Sequence, residues 1–251
     1  TGIDYTHTDL GKSNIPQRNL QKINDKEIKS ILDYTHVISF NNNRIAYATD
    51  KDEVTIYDFN TQENTVIDLG THSEISEFES IYQLTLRGDN LFYISMIQLL
   101  SVSRNDFALY RKNILTGEVT KISNLAPIVY PDHETYLITS SLGFIGNKLI
   151  YERNTGELYN NRYLLLNVYS YDLITGSEEK IFPEDSLLPR MPKVSGNKIA
   201  FTEPTFNQSI YTSKAYLYDI DTDEKTLLQQ DNIFSVVNFK NNLIFLNVDN
   251  V

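Results

Sequence analysis

One pattern recurs five times in this chain of 251 residues, and it constrains the fold more than any other feature. It is an apolar run, a short polar turn rich in Asn and Gly, and a second apolar run. The first copy reads Val37-Ile38-Ser39-Phe40, then Arg44-Ile45-Ala46-Tyr47-Ala48. The second is Leu84-Thr85-Leu86 with Asn90-Leu91-Phe92-Tyr93-Ile94, and the third Gly143-Phe144-Ile145 with Asn147-Lys148-Leu149-Ile150-Tyr151. The fourth is Pro192-Lys193-Val194 with Asn197-Lys198-Ile199-Ala200-Phe201, and the fifth Val236-Val237-Asn238-Phe239 with Asn242-Leu243-Ile244-Phe245-Leu246. The first apolar residue after each turn serves as an anchor: Ile45, Leu91, Leu149, Ile199 and Leu243, spaced by 46, 58, 50 and 44 residues. These intervals bracket the period of roughly 40–50 residues that four short strands and their turns need.

A second hairpin follows each of the first four copies. Its leading strands are Val54-Thr55-Ile56-Tyr57-Asp58, Ala108-Leu109-Tyr110-Arg111-Lys112-Asn113, Val168-Tyr169-Ser170-Tyr171-Asp172 and Ala215-Tyr216-Leu217-Tyr218-Asp219. They alternate with period two and run into turns such as Thr116-Gly117, Thr175-Gly176 and Thr222-Asp223, as half-buried strands joined by tight turns do. Each copy therefore codes four antiparallel strands, A to D, with apolar residues on both faces. Stacking such sheets side by side buries both faces, so the chain is expected to be all-β and a β-propeller of four-stranded antiparallel blades. A sandwich is the structural alternative, but equal repeats do not predict one.

Approximate blades fall at 36–69, 82–123, 137–182, 188–228 and 233–251. The fifth holds only strands A and B. Residues 1–35 form a separate N-terminal segment, in which 3–8 and 18–23 have the pattern of a C and a D strand. Pairing blade five with 1–24 gives five blades in a closed ring; the rival is a part of a larger propeller. Residues 25–33 carry a capping box, Asn24 with Glu27, and read as a short helix or as a linker into blade one.

The pattern Asn-x-(Ile/Leu)-(Ala/Ile)-(Tyr/Phe), followed by Tyr-Asp-(Leu/Ile)-x-Thr-Gly, resembles TolB-like and WD40-like propeller repeats, including YVTN-style surface repeats and the propellers of dipeptidyl-peptidase relatives. The resemblance covers residues 36–251. The Ser-Pro-Asp-Gly turn usual in TolB-like repeats is absent, and Asn-rich turns such as Asn41-Asn42-Asn43 stand in its place. The resemblance is specific for the architecture and nearly silent on function; the fifth repeat, which holds only strands A and B, adds the expectation of one domain of a larger exported peptidase or envelope complex. With the Tyr-, Asn- and Thr-rich strands and an opening residue other than Met, the resemblance leans the location towards the bacterial envelope or exterior, the cytoplasm staying open.

Charge and composition remove several classes. Lys and Arg number 22 against 33 Asp and Glu, a net charge of −11. Such a surface repels phosphate backbones, so no nucleic-acid partner is expected. No run of about 18 apolar residues spans a membrane as a helix. The absence of Cys removes disulfides, zinc–thiolate centres and Cys nucleophiles. The absence of Trp counts against a sugar platform.

Candidate sites follow from the propeller expectation, because the B–C and D–A connections share one face. The B–C connections are long at 96–106, 153–164 and 203–213, well beyond the 2–5 residues of a hairpin turn. That of blade three carries Tyr159, Arg162 and Tyr163, and that of blade four Phe206 and Tyr211, residue types enriched at recognition surfaces. His133 and Arg190 lie in the D–A connections and complete the expected ligand-binding set. No catalytic residue is assigned, because no nucleophile-elbow, zinc-protease or phosphate-loop motif occurs. His72, Glu77, Asp132, His133 and Arg190 are the candidates for a lesser reading, a polysaccharide lyase or hydrolase. No cofactor is expected, a divalent metal among these acids and histidines being the alternative. Asp219-x-Asp221-x-Asp223 imitates a calcium loop but lacks its glycine and distal Glu. It reads better as a hairpin turn, with Asp58, Asp172 and Asp219 bonding local backbone. The leading expectation is a non-catalytic binding or scaffold module for a protein, peptide or glycan.

Overall fold

The structure is a computed structural model. It describes residues 37–49, 52–70, 78–99, 104–125, 128–129, 142–159, 163–182, 190–207, 210–229, 233–239 and 242–247. The expected N-terminal strands at 3–8 and 18–23 and the helix at 25–33 lie outside these residues.

Each repeat becomes one antiparallel sheet in chain order. Blade one is β1 (Ile38–Asn41), β2 (Arg44–Ala48), β3 (Glu53–Asp58) and β4 (Glu63–Asp68). Blade two is β5 (Phe78–Arg87), β6 (Asn90–Leu99), β7 (Arg104–Asn113) and β8 (Val119–Asn124), with β9 (Ile128–Val129) added against β7. Blade three is β10 (Gly143–Ile145), β11 (Lys148–Tyr159), β12 (Tyr163–Asp172) and β13 (Glu178–Lys180). Blade four is β14 (Arg190–Ser195), β15 (Lys198–Asn207), β16 (Ile210–Asp219) and β17 (Glu224–Gln229). In blade five β18 (Ile233–Phe239) pairs with β19 (Asn242–Asn247).

The cores lie between blades. Residues that follow the anchor by one or three positions face the next blade, and those on the anchor's own side face the previous one. Ala46, Val54, Ile56 and Ile67 of blade one thus pack with Leu84, Leu86, Leu91, Tyr93 and Tyr110 of blade two. Phe92, Ile94 and Leu109 join Leu149 and Tyr151, and Ile150 and Val168 join Ile199, Phe201 and Tyr218. Phe92 meets Phe144 edge-on, with ring centroids 5.2 Å apart. A residue just past the D strands of blades one, two and three, Leu69, Leu125 and Phe182, is also buried here. Phe182 packs on Phe201 at 4.4 Å. At the inner strands the approach is closer still. A Cβ on Gly143 would lie 2.7 Å from Val194 Cγ2, so β10 and β14 require glycine at this contact.

Turn chemistry on the A–B/C–D side repeats as closely as the cores. Asp58, Asn113, Asp172 and Asp219 end the C strands, and each side-chain oxygen accepts the amide two residues on, at 2.8, 3.0, 2.8 and 3.0 Å. The short side chain takes over donors that the turn leaves bare. Asn43 Nδ2 donates to Asp58 Oδ1 at 2.9 Å, tying the A–B turn to the C–D turn. Backbone bonds repeat the tie: the amides of Phe59, Ile114, Leu173 and Ile220 donate to the carbonyls of Asn43, Asp89, Asn147 and Asn197.

The long B–C connections are not loops. In blade two the register continues to Leu99↔Arg104, in blade three to Tyr159↔Tyr163 and in blade four to Asn207↔Ile210. Runs such as Leu164-Leu165-Leu166 and Tyr211-Thr212 are good strand formers, and the ladder extends into them. Blade three carries a register shift between Asn154 and Leu158. Among the described residues the D strands of blades three and four pair with residues 169–171 and 215–219, while the B–C hairpins of these blades continue to Tyr159↔Tyr163 and Asn207↔Ile210.

Candidate functional site

The extended hairpins set the positions of the expected recognition residues. Tyr159 and Tyr163 are direct register partners closing β11–β12. Phe206 and Tyr211 are direct partners one pair short of the end of β15–β16. Two aromatic cross-strand pairs therefore stand at the B–C ends of neighbouring blades three and four. Arg190 opens β14 opposite Thr202, four residues nearer the blade body than Phe206. Arg162 and His133 lie outside the described residues, as do His72, Glu77 and Asp132 of the enzyme reading. The structure thus brings four of the seven expected binding residues into two pairs and leaves Arg190 apart from them.

A charged group that the sequence reading passed over lies deeper. Glu152 is on β11, three residues past the anchor Leu149, and its exposure is 0%. The same place is Ile94 in blade two, part of an inter-blade core, and buried Thr202 in blade four. Its electrostatic neighbours come from the inner strands of the flanking blades. Burial lowers the Lys193 ammonium below its ordinary value, and the Glu152 carboxylate opposes that shift. Burial raises the Tyr82 phenol, and Glu152 raises it further. A carboxylate thus acts on an ammonium and on a phenol, each from a different blade, where water is scarce. Buried charges are tolerated only with such compensation.

A second polar group spans blades two and three at their outer strands. Glu178 accepts from Ser123 Oγ at 2.8 Å, from the Tyr151 hydroxyl and from Arg153, whose nitrogen lies 2.6 Å away. The Arg153 guanidinium also sits 5.2 Å from the Tyr169 ring centroid. Burial first, then the bond to Glu178, drives the Tyr151 phenol far above its usual range. Lys225 makes a similar outer cluster in blade four, paired with Glu203 and 4.0 Å from the Tyr216 ring centroid.

The calcium-like motif is a turn. Asp219 caps the local backbone and pairs with Lys198 at 3.2 Å, Asn197 Nδ2 bonds Asp221 at 2.7 Å, and Asp223 accepts from the Tyr218 hydroxyl. Asn197 Nδ2 also reaches Asp219 Oδ1 at 3.4 Å, so the carboxylates are taken up by local side chains and backbone. Among the described residues no three His, Cys, Asp or Glu side chains gather as a metal site, and no helix is long and apolar enough to cross a membrane.

Four complete four-stranded sheets, stacked in chain order through their faces, are blades of a β-propeller. Comparison with solved structures bears this out. TolB from Acinetobacter baumannii superposes with a TM-score of 0.50 at 16% identity, over 80% of this chain and 45% of that one. The uncomplexed acylaminoacyl peptidase of Pyrococcus horikoshii gives 0.51 at 12% identity, over 77% of this chain and 32% of that one. In fold the protein is a TolB-like β-propeller. It spans less than half the length of either neighbour. No protein-family model matches it, and no curated protein does.

Proposed function

We propose that the protein is a non-catalytic recognition propeller that holds a protein or peptide partner on its B–C/D–A face. The observation that carries this reading is the pair of extended hairpins on blades three and four. Each carries an aromatic cross-strand pair at or next to its end, Tyr159 with Tyr163 and Phe206 with Tyr211. Aromatic side chains offer large contact area at low entropic cost, and they dominate binding energy where they are buried by a partner. Arg162, in the blade-three connection, adds a cation with planar donors. A location in the cell envelope or outside the cell goes with this reading, supported by the TolB-like fold.

A second reading is supported by the peptidase neighbour, whose chain is about three times the matched length: a propeller that forms one part of a larger exported peptidase or envelope complex. The first reading is tested by affinity capture from native envelope fractions, wild type against Tyr159→Ala with Arg162→Glu. A partner retained by wild type and lost by a variant of unchanged melting temperature supports recognition through blade three. A partner held equally by both refutes that face, and turnover of a peptide or glycan panel by the isolated chain refutes the non-catalytic reading.

A further inference from the structure

Among the described residues, the outer edge of β16 in blade four carries no strand at the place where blade two seats one of its own. Leu99 stands as far past the anchor Leu91 as Asn207 stands past Ile199, and the two pair with Arg104 and Ile210. Arg104 and Asn105 of β7 therefore correspond to Ile210 and Tyr211 of β16. In blade two β9 lies along that edge, with Arg104↔Val129 and Asn105↔Ile128. Between β9 and β8 the Phe107 carbonyl, at the place of Ser213, accepts the Leu125 amide at 2.9 Å.

The residues that follow the D strand of blade four cannot repeat this arrangement. Ala215 pairs with Gln229. Continued one for one, the residue opposite Tyr211 is Ile233, which is already in register with Asn247 inside blade five. In blade two the next A strand, β10, does not begin until Gly143, and β9 lies on the way to it.

The backbone groups at this edge follow from the register. β15 and β16 are joined across two residues, so the closing pair Asn207↔Ile210 is a hydrogen-bonded one. Hydrogen-bonded and non-hydrogen-bonded pairs alternate along an antiparallel ladder, which makes Thr205↔Thr212 and Glu203↔Lys214 bonded and Pro204↔Ser213 non-bonded. A residue without an N–H fits only there. Tyr211 and Ser213 thus turn their N–H and C=O groups away from β15, towards the edge. The segment Ile210-Tyr211-Thr212-Ser213 has no charge, no Pro and no Gly, the residues by which edge strands ordinarily resist pairing with another chain. The covered edge of blade two reads Arg104-Asn105-Asp106 instead.

We infer that this edge receives an extended segment of a partner protein, which adds antiparallel to β16 as β9 adds to β7. The inference rests on the recognition reading above and names its mode: main-chain pairing at Tyr211 and Ser213. Such pairing asks for an extended backbone without Pro at the bonded positions, and the net charge of −11 disfavours an acidic segment.

Amide hydrogen exchange, followed residue by residue on the whole chain, tests the edge itself. In the free protein Thr212 and Lys214, bonded to β15, should exchange slowly, and Tyr211 and Ser213 fast. A Tyr211 amide as protected as that of Thr212 shows the edge to be covered within the chain and overturns the inference. The probe for the partner is a displayed library of random dodecapeptides. Selected peptides should slow the Tyr211 and Ser213 amides of the wild-type chain on binding. Tyr211→Ala keeps the outward N–H and Tyr211→Pro removes it, at a non-hydrogen-bonded pair of the kind that already holds Pro204. With circular dichroism matched, the proline variant should bind such a peptide at least about tenfold more weakly than the alanine variant. Equal affinity of the two variants, or a library that yields no peptide protecting these amides, overturns strand addition. An envelope partner retained by Tyr211→Pro and lost by Tyr159→Ala with Arg162→Glu also overturns it, while leaving recognition through blade three standing.

Discussion

The contact between Gly143 and Val194 sets how closely the inner strands of blades three and four approach, and it can be tested by adding one methyl group. In Gly143→Ala the new Cβ would sit 2.7 Å from Val194 Cγ2 and 2.8 Å from Val194 Cβ. Ordinary carbon contacts begin near about 3.5 Å, so the shortfall is about 0.7 Å. Rotating Val194 relieves the first contact and not the second, because its Cβ is fixed to the backbone of β14. The strand must then move. Overpacking of this kind costs about 2 kcal/mol. The loss of glycine's freedom in the unfolded chain returns about 0.5–1 kcal/mol. The net expectation is a destabilisation of about 1–1.5 kcal/mol, or about 2–6 °C in Tm for a chain of this size. Urea unfolding of a double-mutant cycle isolates the cause. In a Val194→Gly background both offending atoms are gone, and Gly143→Ala should cost nothing or stabilise slightly. A Gly143→Ala protein as stable as wild type, or the same cost in both backgrounds, refutes the close approach.

Glu178 gathers Ser123, Tyr151 and Arg153 from two blades, so Glu178→Ala should lower stability by about 2–3 kcal/mol through the bereaved polar groups, and a loss below about 0.5 kcal/mol in urea unfolding would show the cluster to be incidental. The Tyr218 phenol is pushed up to about 12 by burial and by its bond to Asp223. Its folded value exceeds the unfolded one, so its contribution is fully present below pH 10 and is lost as pH rises from 10 towards 12. Stability of wild type should therefore fall through that window with a steeper slope than that of Tyr218→Phe, and equal slopes would refute the coupling.

The fold was legible because its determinants repeat. Anchors such as Leu91 and Leu149 stand at matching places, and the Asp that ends each C strand is followed by the turn that its carboxylate caps. Where the repeat is imperfect the structure still obeys it: Gln62 and Asp223 take positive φ angles of 60° and 58° at the place where blades two and three carry Gly117 and Gly176. The extended hairpins were misread as loops for a physical reason. A strand continuing past its neighbours looks, in sequence, like a connection with unusually many Tyr, Thr and Leu, although these are the residue types that form strands.

The buried charge shows the other limit of reading by repeats. Aligning the chain on its anchors puts Ala48, Ile94, Glu152, Thr202 and Leu246 at one place. An acid there stands out, because the other four are apolar or a small alcohol. Glu152 follows Tyr151 on a strand that ends in Tyr159 and Tyr163, so on sequence it reads as a solvated edge residue. Its meaning comes from Lys193 and Tyr82, which lie 41 and 70 residues away in sequence and reach it from neighbouring blades. An apolar residue at this place would pack as Ile94 does and would spare the desolvation of two charges. That blade three carries the costlier choice, on the same strand whose far end bears the proposed recognition pair, ties the inter-blade interior and the B–C tip to one β-strand. A partner that shifts the Tyr159–Tyr163 end acts on a strand whose other end is held by Glu152 and by Glu178's grip on Tyr151 and Arg153.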